Sequence, residues 1–218
     1  MGLRKTKIII ADDHVIFRDG LKTIITLSNI GEVIGDVSNG LELINLLKNN
    51  KPDLVIIDID MPVMNGIEAT KEALKIQPDL NVLTVTMFNN QKYYFDMINA
   101  GAKGFVLKTS SKLELQEAIT AVLKGGNYIS SELIVDIIKY TNQSENTSKK
   151  DPEAVFNTKD VEILKLMLKG LSAKEISEKL FLSTKTVSNY KTLMLEKTGC
   201  KNAISLIVYA LKNDFIKI

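Results

Sequence analysis

Acidic, hydroxyl and basic residues follow four short apolar runs in the first half of the chain. Asp12 and Asp13 come after KIIIA, Asp58 after LVII and Lys108 after GFVL, while Thr86 ends the run NVLTVT. Carboxylates can hold a hard divalent cation such as Mg²⁺, and one of them can act as a nucleophile towards phosphorus. A lysine and a threonine can stabilise the oxygens of an arriving phosphoryl group. The residue types therefore indicate phosphoryl chemistry, provided that the fold brings them together.

The apolar runs are typical of strands that are buried on both sides. They occupy residues 7–11, 32–37, 53–58, 81–86 and 104–108. The segments between them have helical spacing, as in the sets Ile16, Leu21, Ile24, Ile25 and Leu41, Ile44, Leu47. Strand and helix alternating in this way predict an α/β fold, with a doubly wound five-stranded parallel sheet and helices on both faces.

The expected strand order, 2-1-3-4-5, determines which residues meet. In such sheets ligands bind outside the carboxyl ends of the strands, near the point where the order reverses. The ends of the first, third, fourth and fifth strands lie there, and these are the ends that carry the candidate residues. The second strand ends in Asp36-Val37-Ser38 and carries no comparable group of candidate residues. It also lies away from the point where the strand order reverses.

Each candidate residue also has a purely structural interpretation. An Asp or Thr after a strand is often a turn former or a helix N-cap, so the joint pattern, and no single residue, favours chemistry. His14 follows the acidic pair at a predicted helix start, where we expect a cap or packing role and assign no chemistry. Phe105 is equally compatible with a place in the core.

Composition narrows the protein class. The chain has 218 residues with 45% apolar and 25% charged residues, as expected of a globular protein with two unequal domains. Cys200 and His14 are the only cysteine and the only histidine, which argues against a disulfide, a zinc cluster and a Ser-His-Asp site. Because no run of about 18 apolar residues occurs, we expect a cytoplasmic protein without a membrane partner.

The charge is divided unevenly along the chain. Residues 1–140 carry 15 Lys and Arg against 17 Asp and Glu, whereas residues 151–218 carry 11 against 8. An acidic first part suits a cation, and a mildly basic last part suits phosphates.

The sequence after residue 128 predicts a helix, a linker and a helical domain. Residues 130–140 have helical spacing behind a cap at Ser130 or Ser131, and residues 141–153 are polar throughout, which predicts a linker. The predicted domains are therefore residues 1–128, a helix and linker over 129–152, and residues 153–218.

The last 65 or so residues show only helical spacing. The expected caps of the first three helices are Asn157 or Thr158, Ser172, and Ser183 or Thr184, and a fourth helix is expected over 202–213. A short helix, a three-residue turn and a longer helix form a helix-turn-helix, whose second helix enters the major groove of DNA.

These motifs carry a resemblance to a known family. The set of strand-end residues, with IIDIDMPVMNG and GFVLK, resembles the receiver domain of two-component response regulators. ADDHVIFRDGL (11–21) is similar to the opening of the NarL/FixJ subfamily, and GLSAKEISEKLFLSTKTVSNYKTLMLEKTG (170–199) resembles its LuxR-type output domain. The resemblance implies a transcriptional regulator that is not an enzyme.

The resemblance assigns roles to the acidic residues. Asp58 would accept a phosphoryl group from a sensor histidine kinase. Asp13, Asp58 and the backbone carbonyl of Asp60 would bind Mg²⁺, with Asp12 assisting.

The resemblance also implies a switch. Thr86 and Lys108 would bind the phosphoryl group, and Phe105 would turn inward when Thr86 moves. Met87 stands where a small residue is usual, so we expect it to crowd the site and slow hydrolysis of the phosphoryl group. Phe105 lacks the hydroxyl of the commoner tyrosine, so its switching would depend on packing alone.

In the output domain the recognition helix would span about 184–198. Phosphate contacts would come from Lys174, Lys185 and Lys191, and base contacts from Ser188, Asn189 and Thr192. Ser188 and Tyr190 replace the lysine and histidine common in the family, which implies an unusual or weaker site preference. The resemblance implies a homodimer on activation, bound to double-stranded DNA. As a charge pattern alone, the seven lysines between 169 and 201 are also compatible with a solvated face.

Two rival functions remain open. Asp58-Ile59-Asp60 also matches the DxD opening of haloacid-dehalogenase-type phosphatases, although such enzymes need a further acidic pair late in the chain. A regulator could also bind DNA without phosphorylation and use its first domain only for dimerisation.

Overall fold

The N-terminal domain is built on one parallel sheet. The structure is a computed structural model that describes residues 4–87, 91–144 and 155–217. The strands are β1 Lys7–Ala11, β2 Glu32–Val37, β3 Leu54–Ile57, β4 Asn81–Thr86, β5 Gly104–Leu107 and β6 Tyr128–Ile129. The helices between them are α1 Val15–Leu27, α2 Gly40–Leu47, α3 Gly66–Ile76, α4 Gln91–Ala100 and α5 Lys112–Leu123. The sheet order is β2-β1-β3-β4-β5-β6, which confirms the predicted doubly wound fold and the order of its first five strands.

The predicted count of five strands was wrong by one. The edge strand β6 pairs in parallel with β5, with Tyr128 opposite Gly104 and Ile129 opposite Phe105. A strand of two residues is too short to show an alternating pattern in the sequence.

Alternation along the strands divides the core into two layers. In β1, Ile8 and Ile10 face α1 and α5, while Ile9 and Ala11 face α2, α3 and α4, and all four are fully buried. The predicted helical stripes are buried only in part, because Ile16 is 89% exposed. Leu41 is likewise 46% exposed.

The C-terminal part is helical. It comprises α6 Ser131–Ser144, α7 Thr158–Leu168, α8 Ala173–Leu180, α9 Thr184–Thr198 and α10 Ala203–Lys212. The linker predicted to begin at residue 141 was placed too early, since α6 continues to Ser144; its remainder lies in 145–154, outside the described residues. Side chains of the N-cap residues accept backbone hydrogen bonds at the starts of α7 to α10, namely Asn157, Ser172, Ser183 and Asn202.

The two folded parts pack against each other. Leu133 of α6 and Ile204 and Val208 of α10 belong to the same apolar cluster as the α4 face of the sheet. The side-chain amide of Asn202 donates a hydrogen bond to the carbonyl of Ile98 at 2.6 Å. Within the described ranges, no helix has the length and apolar character needed to cross a membrane.

Candidate functional site

The carboxyl ends of β1, β3 and β5 bring together two buried carboxylates and one ammonium. Lys108 Nζ lies 2.8 Å from Asp12 Oδ2 and 2.6 Å from Asp58 Oδ2. All three side chains are at most 5% exposed. The register of the parallel strands causes this convergence, because β1 and β4 both pair directly with β3, and β5 pairs with β4.

The electrostatics of this group reflect burial and charge together. Burial raises the pKa of the Asp58 carboxyl; Lys108 opposes the rise and the charge of Asp12 adds to it, and the net shift is upward. Burial by itself lowers the pKa of Lys108, but hydrogen bonds to Asp12 and Asp58 outweigh burial and raise that pKa. Lys108 is therefore a charged ammonium held against the proposed nucleophile.

Asp13 completes an acidic cluster that fits a divalent cation. One ligand atom from each of Asp12, Asp13, His14 and Asp58 lies within 4.8 Å of the others. Asp13 stands on the open side, with 35% of its side chain exposed. Three carboxylates are a donor set that suits Mg²⁺, which accepts a few carboxylate oxygens and retains water.

A cleft of about 530 Å³ opens over Asp58. Asp60 is exposed and lines this cleft; the predicted use of its backbone carbonyl stays a prediction. Thr86, 6% exposed, lies in the same cleft and donates its hydroxyl hydrogen bond to the carbonyl of Met87 at 3.3 Å. The cleft is thus bounded by residues from the ends of β3 and β4.

Phe105 lies away from the cleft. It is fully buried in the core with Met97 of α4 and Leu133 of α6. The ring is therefore in an inward position in this structure, and its movement with Thr86 stays a prediction.

The first turn of α1 supplies contacts that sequence reasoning missed. Lys108 Nζ lies 4.9 Å from the centroid of the Phe17 ring, a cation–π contact. Arg18 donates to the carbonyl of Asp12 and to Asp36 Oδ2. Both residues follow the acidic pair by four to six positions, which is a little more than one helical turn. This spacing could have identified them as residues close to the acidic pair.

His14 lies at the start of α1, and its side chain contacts the acidic pair. It occupies the N-cap of α1, but its side chain makes no cap hydrogen bond, and 62% of that side chain is exposed. The expected cap position at the helix start is therefore confirmed. The side chain caps no backbone group, and its Nδ1 lies 2.7 Å from Asp13 Oδ1 instead.

Met87 stands at the mouth of the cleft with 51% of its surface exposed. We expect Met87→Ala to shorten the lifetime of a phosphoryl group on Asp58 several-fold, because water would reach phosphorus more easily. The decay is measured by intact mass after removal of the phosphodonor. An unchanged lifetime would show that Met87 does not limit access of water.

The candidate DNA contacts lie on α8 and α9. Lys174 is on α8, and Lys185, Ser188, Asn189 and Thr192 are on α9; all are exposed. Lys191 differs from them because it is half-buried, and burial followed by the positive charge of Lys103 lowers its pKa. The lysines are thus not all on a solvated face, since one of them lies near the N-terminal domain.

Both domains match known families. Residues 8–120 match the family described as response regulator receiver domain, and residues 154–210 match bacterial regulatory proteins of the luxR family. Over 216 residues the chain is 35% identical to the oxygen regulatory protein NreC of Staphylococcus epidermidis. The aligned region covers 97% of this chain and 99% of that protein.

Solved structures agree over nearly the full length. The RcsB response regulator of Salmonella typhimurium is 27% identical, with a TM-score of 0.60, covering 95% of this chain and 98% of that one. An RcsB–DNA complex matches at 27% identity and a TM-score of 0.58, covering 96% and 99%. ChrA, from a heme-sensing two-component system, matches at 25% identity and a TM-score of 0.54, covering 98% and 100%. The chain therefore belongs to the NarL/FixJ family of two-component response regulators, in which a receiver domain precedes a LuxR-type output domain.

Proposed function

We propose that the protein accepts a phosphoryl group on Asp58 from a sensor histidine kinase and thereby controls its binding to double-stranded DNA. The observation that carries this proposal is the contact of Lys108 Nζ with Asp58 Oδ2 and Asp12 Oδ2 at the carboxyl edge of the sheet. An enzyme of the haloacid-dehalogenase type is the rival, and turnover of phosphomonoesters would favour it. Since the partner is DNA, a cytoplasmic location is part of the proposal.

In the proposed reaction, an Asp58 oxygen attacks the phosphorus of a phosphohistidine on the kinase. A P–O bond forms, the P–N bond breaks, and its electron pair leaves on the imidazole nitrogen of the kinase. Lys108 remains within reach of the transferred oxygens, and the Thr86 hydroxyl exchanges the Met87 carbonyl for one of them.

The metal site forms part of the same proposal. Asp13, Asp58 and the carbonyl of Asp60 would hold Mg²⁺, with Asp12 assisting. When bound, Mg²⁺ supplies positive charge that offsets the charges of the carboxylates and the phosphoryl group.

The acceptor is tested with a small phosphodonor and Mg²⁺. We expect the wild-type protein to gain the mass of one phosphoryl group and Asp58→Asn to gain none. Equal gain by both proteins would refute the assignment of Asp58.

In the proposed DNA binding, α9 is the recognition helix. Ser188, Asn189 and Thr192 would meet base edges, while Lys174, Lys185 and Lys191 would meet phosphates. One related structure is described as two RcsB dimers bound to two parallel DNAs, at 27% identity and a TM-score of 0.58. By analogy, we propose that this chain binds DNA as a homodimer on activation.

The packing of the domains suggests how phosphorylation would be transmitted. Lys191, a proposed phosphate contact, lies against the receiver domain near the like charge of Lys103. Two further contacts join the domains: Asn202 with Ile98, and Lys124 with Glu175 at 3.3 Å. We therefore propose that these domains separate when Lys191 binds DNA, and that phosphorylation favours this separation.

A glycine in this contact offers a test. A methyl group at Gly126 would lie 2.1 Å from the carbonyl oxygen of Gly170 in the output domain. We expect Gly126→Ala to separate the domains and to raise DNA affinity several-fold without phosphodonor, measured by fluorescence anisotropy. Gly20→Ala is the matched control because nothing lies within 4 Å of its added methyl group. Equal affinity of the two variants would contradict the role of this contact.

A further inference from the structure

The imidazole of His14 is directed at the acidic cluster. Its Nδ1 lies 2.7 Å from Asp13 Oδ1 and 3.2 Å from Asp12 Oδ1. The side chain is 62% exposed and makes no cap hydrogen bond, so its orientation follows from these two contacts with carboxylate oxygens.

These separations match those of neighbouring metal ligands. In an octahedral site with bonds of about 2.1 Å, adjacent ligand atoms are about 3 Å apart. Nδ1 has this relation to both carboxylates, and a ligand oxygen of Asp58 lies within 4.8 Å of the same group of atoms. A cation placed among the carboxylates would therefore be within reach of Nδ1.

Lys108 provides a second observation on the same nitrogen. Its Nζ lies 3.3 Å from Nδ1. An ammonium group can only donate hydrogen bonds, so this contact is favourable when Nδ1 presents a lone pair. In that tautomer Nδ1 cannot donate to the Asp13 and Asp12 oxygens, and a cation between these atoms would relieve the repulsion of their lone pairs. A lone pair is also what a metal ion requires of imidazole.

We propose that His14 Nδ1 is a ligand of the divalent ion bound by Asp13 and Asp58, and that the site binds first-row transition ions more tightly than Mg²⁺. Imidazole suits such ions, whereas Mg²⁺ is bound through oxygen. The proposal rests on the metal site of the proposed function and adds a nitrogen to its ligands. Its consequence is that the metal occupying the receiver depends on which divalent ions are available.

The chain makes the test specific, since His14 is its only histidine. We load the untagged full-length protein with Mn²⁺ and record pulsed electron paramagnetic resonance spectra. We expect the modulation of a directly bound imidazole nitrogen in the wild-type protein and its loss in His14→Gln. Because His14 is exposed, the variant should fold normally, which its unfolding curve in urea checks.

Calorimetric titrations add a measure of selectivity. We expect His14→Gln to weaken Co²⁺ binding at least about tenfold, the lower end of losses that follow removal of a partner of a metal site. Mg²⁺ binding should weaken less, so the ratio of the two affinities falls.

The outcomes separate this inference from the proposed function. Bound Mn²⁺ without imidazole modulation would overturn the ligand role of His14, and so would an unchanged ratio of Co²⁺ and Mg²⁺ affinities. Neither result affects phosphorylation, which is measured by mass with Mg²⁺ and phosphodonor. Failure of the wild-type protein to gain that mass would refute the proposed function, whereas imidazole modulation would still support the nitrogen ligand.

Discussion

Lys108→Ala should lower the free energy of unfolding by about 3 kcal/mol, because it leaves buried charges without their partner. Lys108 Nζ is the cation shared by Asp12 and Asp58, and the three side chains are at most 5% exposed. Without it, two buried carboxylates face each other. The loss is measured by urea unfolding near neutral pH without divalent ions.

Three controls isolate the cause of that loss. Lys112→Ala removes an exposed lysine and should change stability little. Adding Asp58→Asn to Lys108→Ala should recover part of the loss, since interaction energies between such neighbours are about 0.5–3 kcal/mol. Mg²⁺ should also reduce the loss, because without the competing ammonium it should bind the folded variant more tightly than the wild type. If the double variant is no more stable than Lys108→Ala, repulsion between the carboxylates is not the cause.

Gly66→Ala should have the second large effect, on both stability and phosphorylation. Gly66 begins α3, and a methyl group there would lie 2.0 Å from the carbonyl oxygen of Asp58. The backbone of Asp58 or of the helix start must move, at a cost of about 1–3 kcal/mol. Because that movement displaces the proposed nucleophile, we also expect phosphoryl gain to become at least several-fold slower.

Gly20→Ala again serves as the control. An alanine inside an exposed part of α1 meets nothing within 4 Å and should stabilise the protein by about 0.5–1 kcal/mol. We thus expect the two variants to shift the free energy of unfolding in urea in opposite directions. A Gly66→Ala protein with wild-type stability and wild-type phosphorylation would show that the close approach to Asp58 is unimportant.

The sequence predicted the site best where a charged residue directly follows an apolar strand. Asp58 and Lys108 each follow a strongly apolar strand, and the order of parallel strands determines which ends are adjacent. Helix boundaries in the output domain were predictable for a similar reason, because Asn157 and Ser172 are good N-caps before periodic apolar residues.

The features that could not be predicted from the sequence depend on contacts between distant segments or on the direction of a side chain. Phe17 meets Lys108 only after the sheet has formed, and the orientation of His14 follows from the path of the chain into α1. The contact of Asn202 with Ile98 joins two domains, and no periodic pattern encodes it.

The central claim is that phosphorylation of Asp58 controls binding to DNA. The most direct measurement is a footprint on genomic DNA with and without phosphodonor, for the wild-type protein and for Asp58→Asn. We predict that phosphodonor increases protection of specific sites by the wild-type protein and leaves protection by Asp58→Asn unchanged. Equal protection in all four samples would contradict the claim and favour a regulator that binds DNA without phosphorylation.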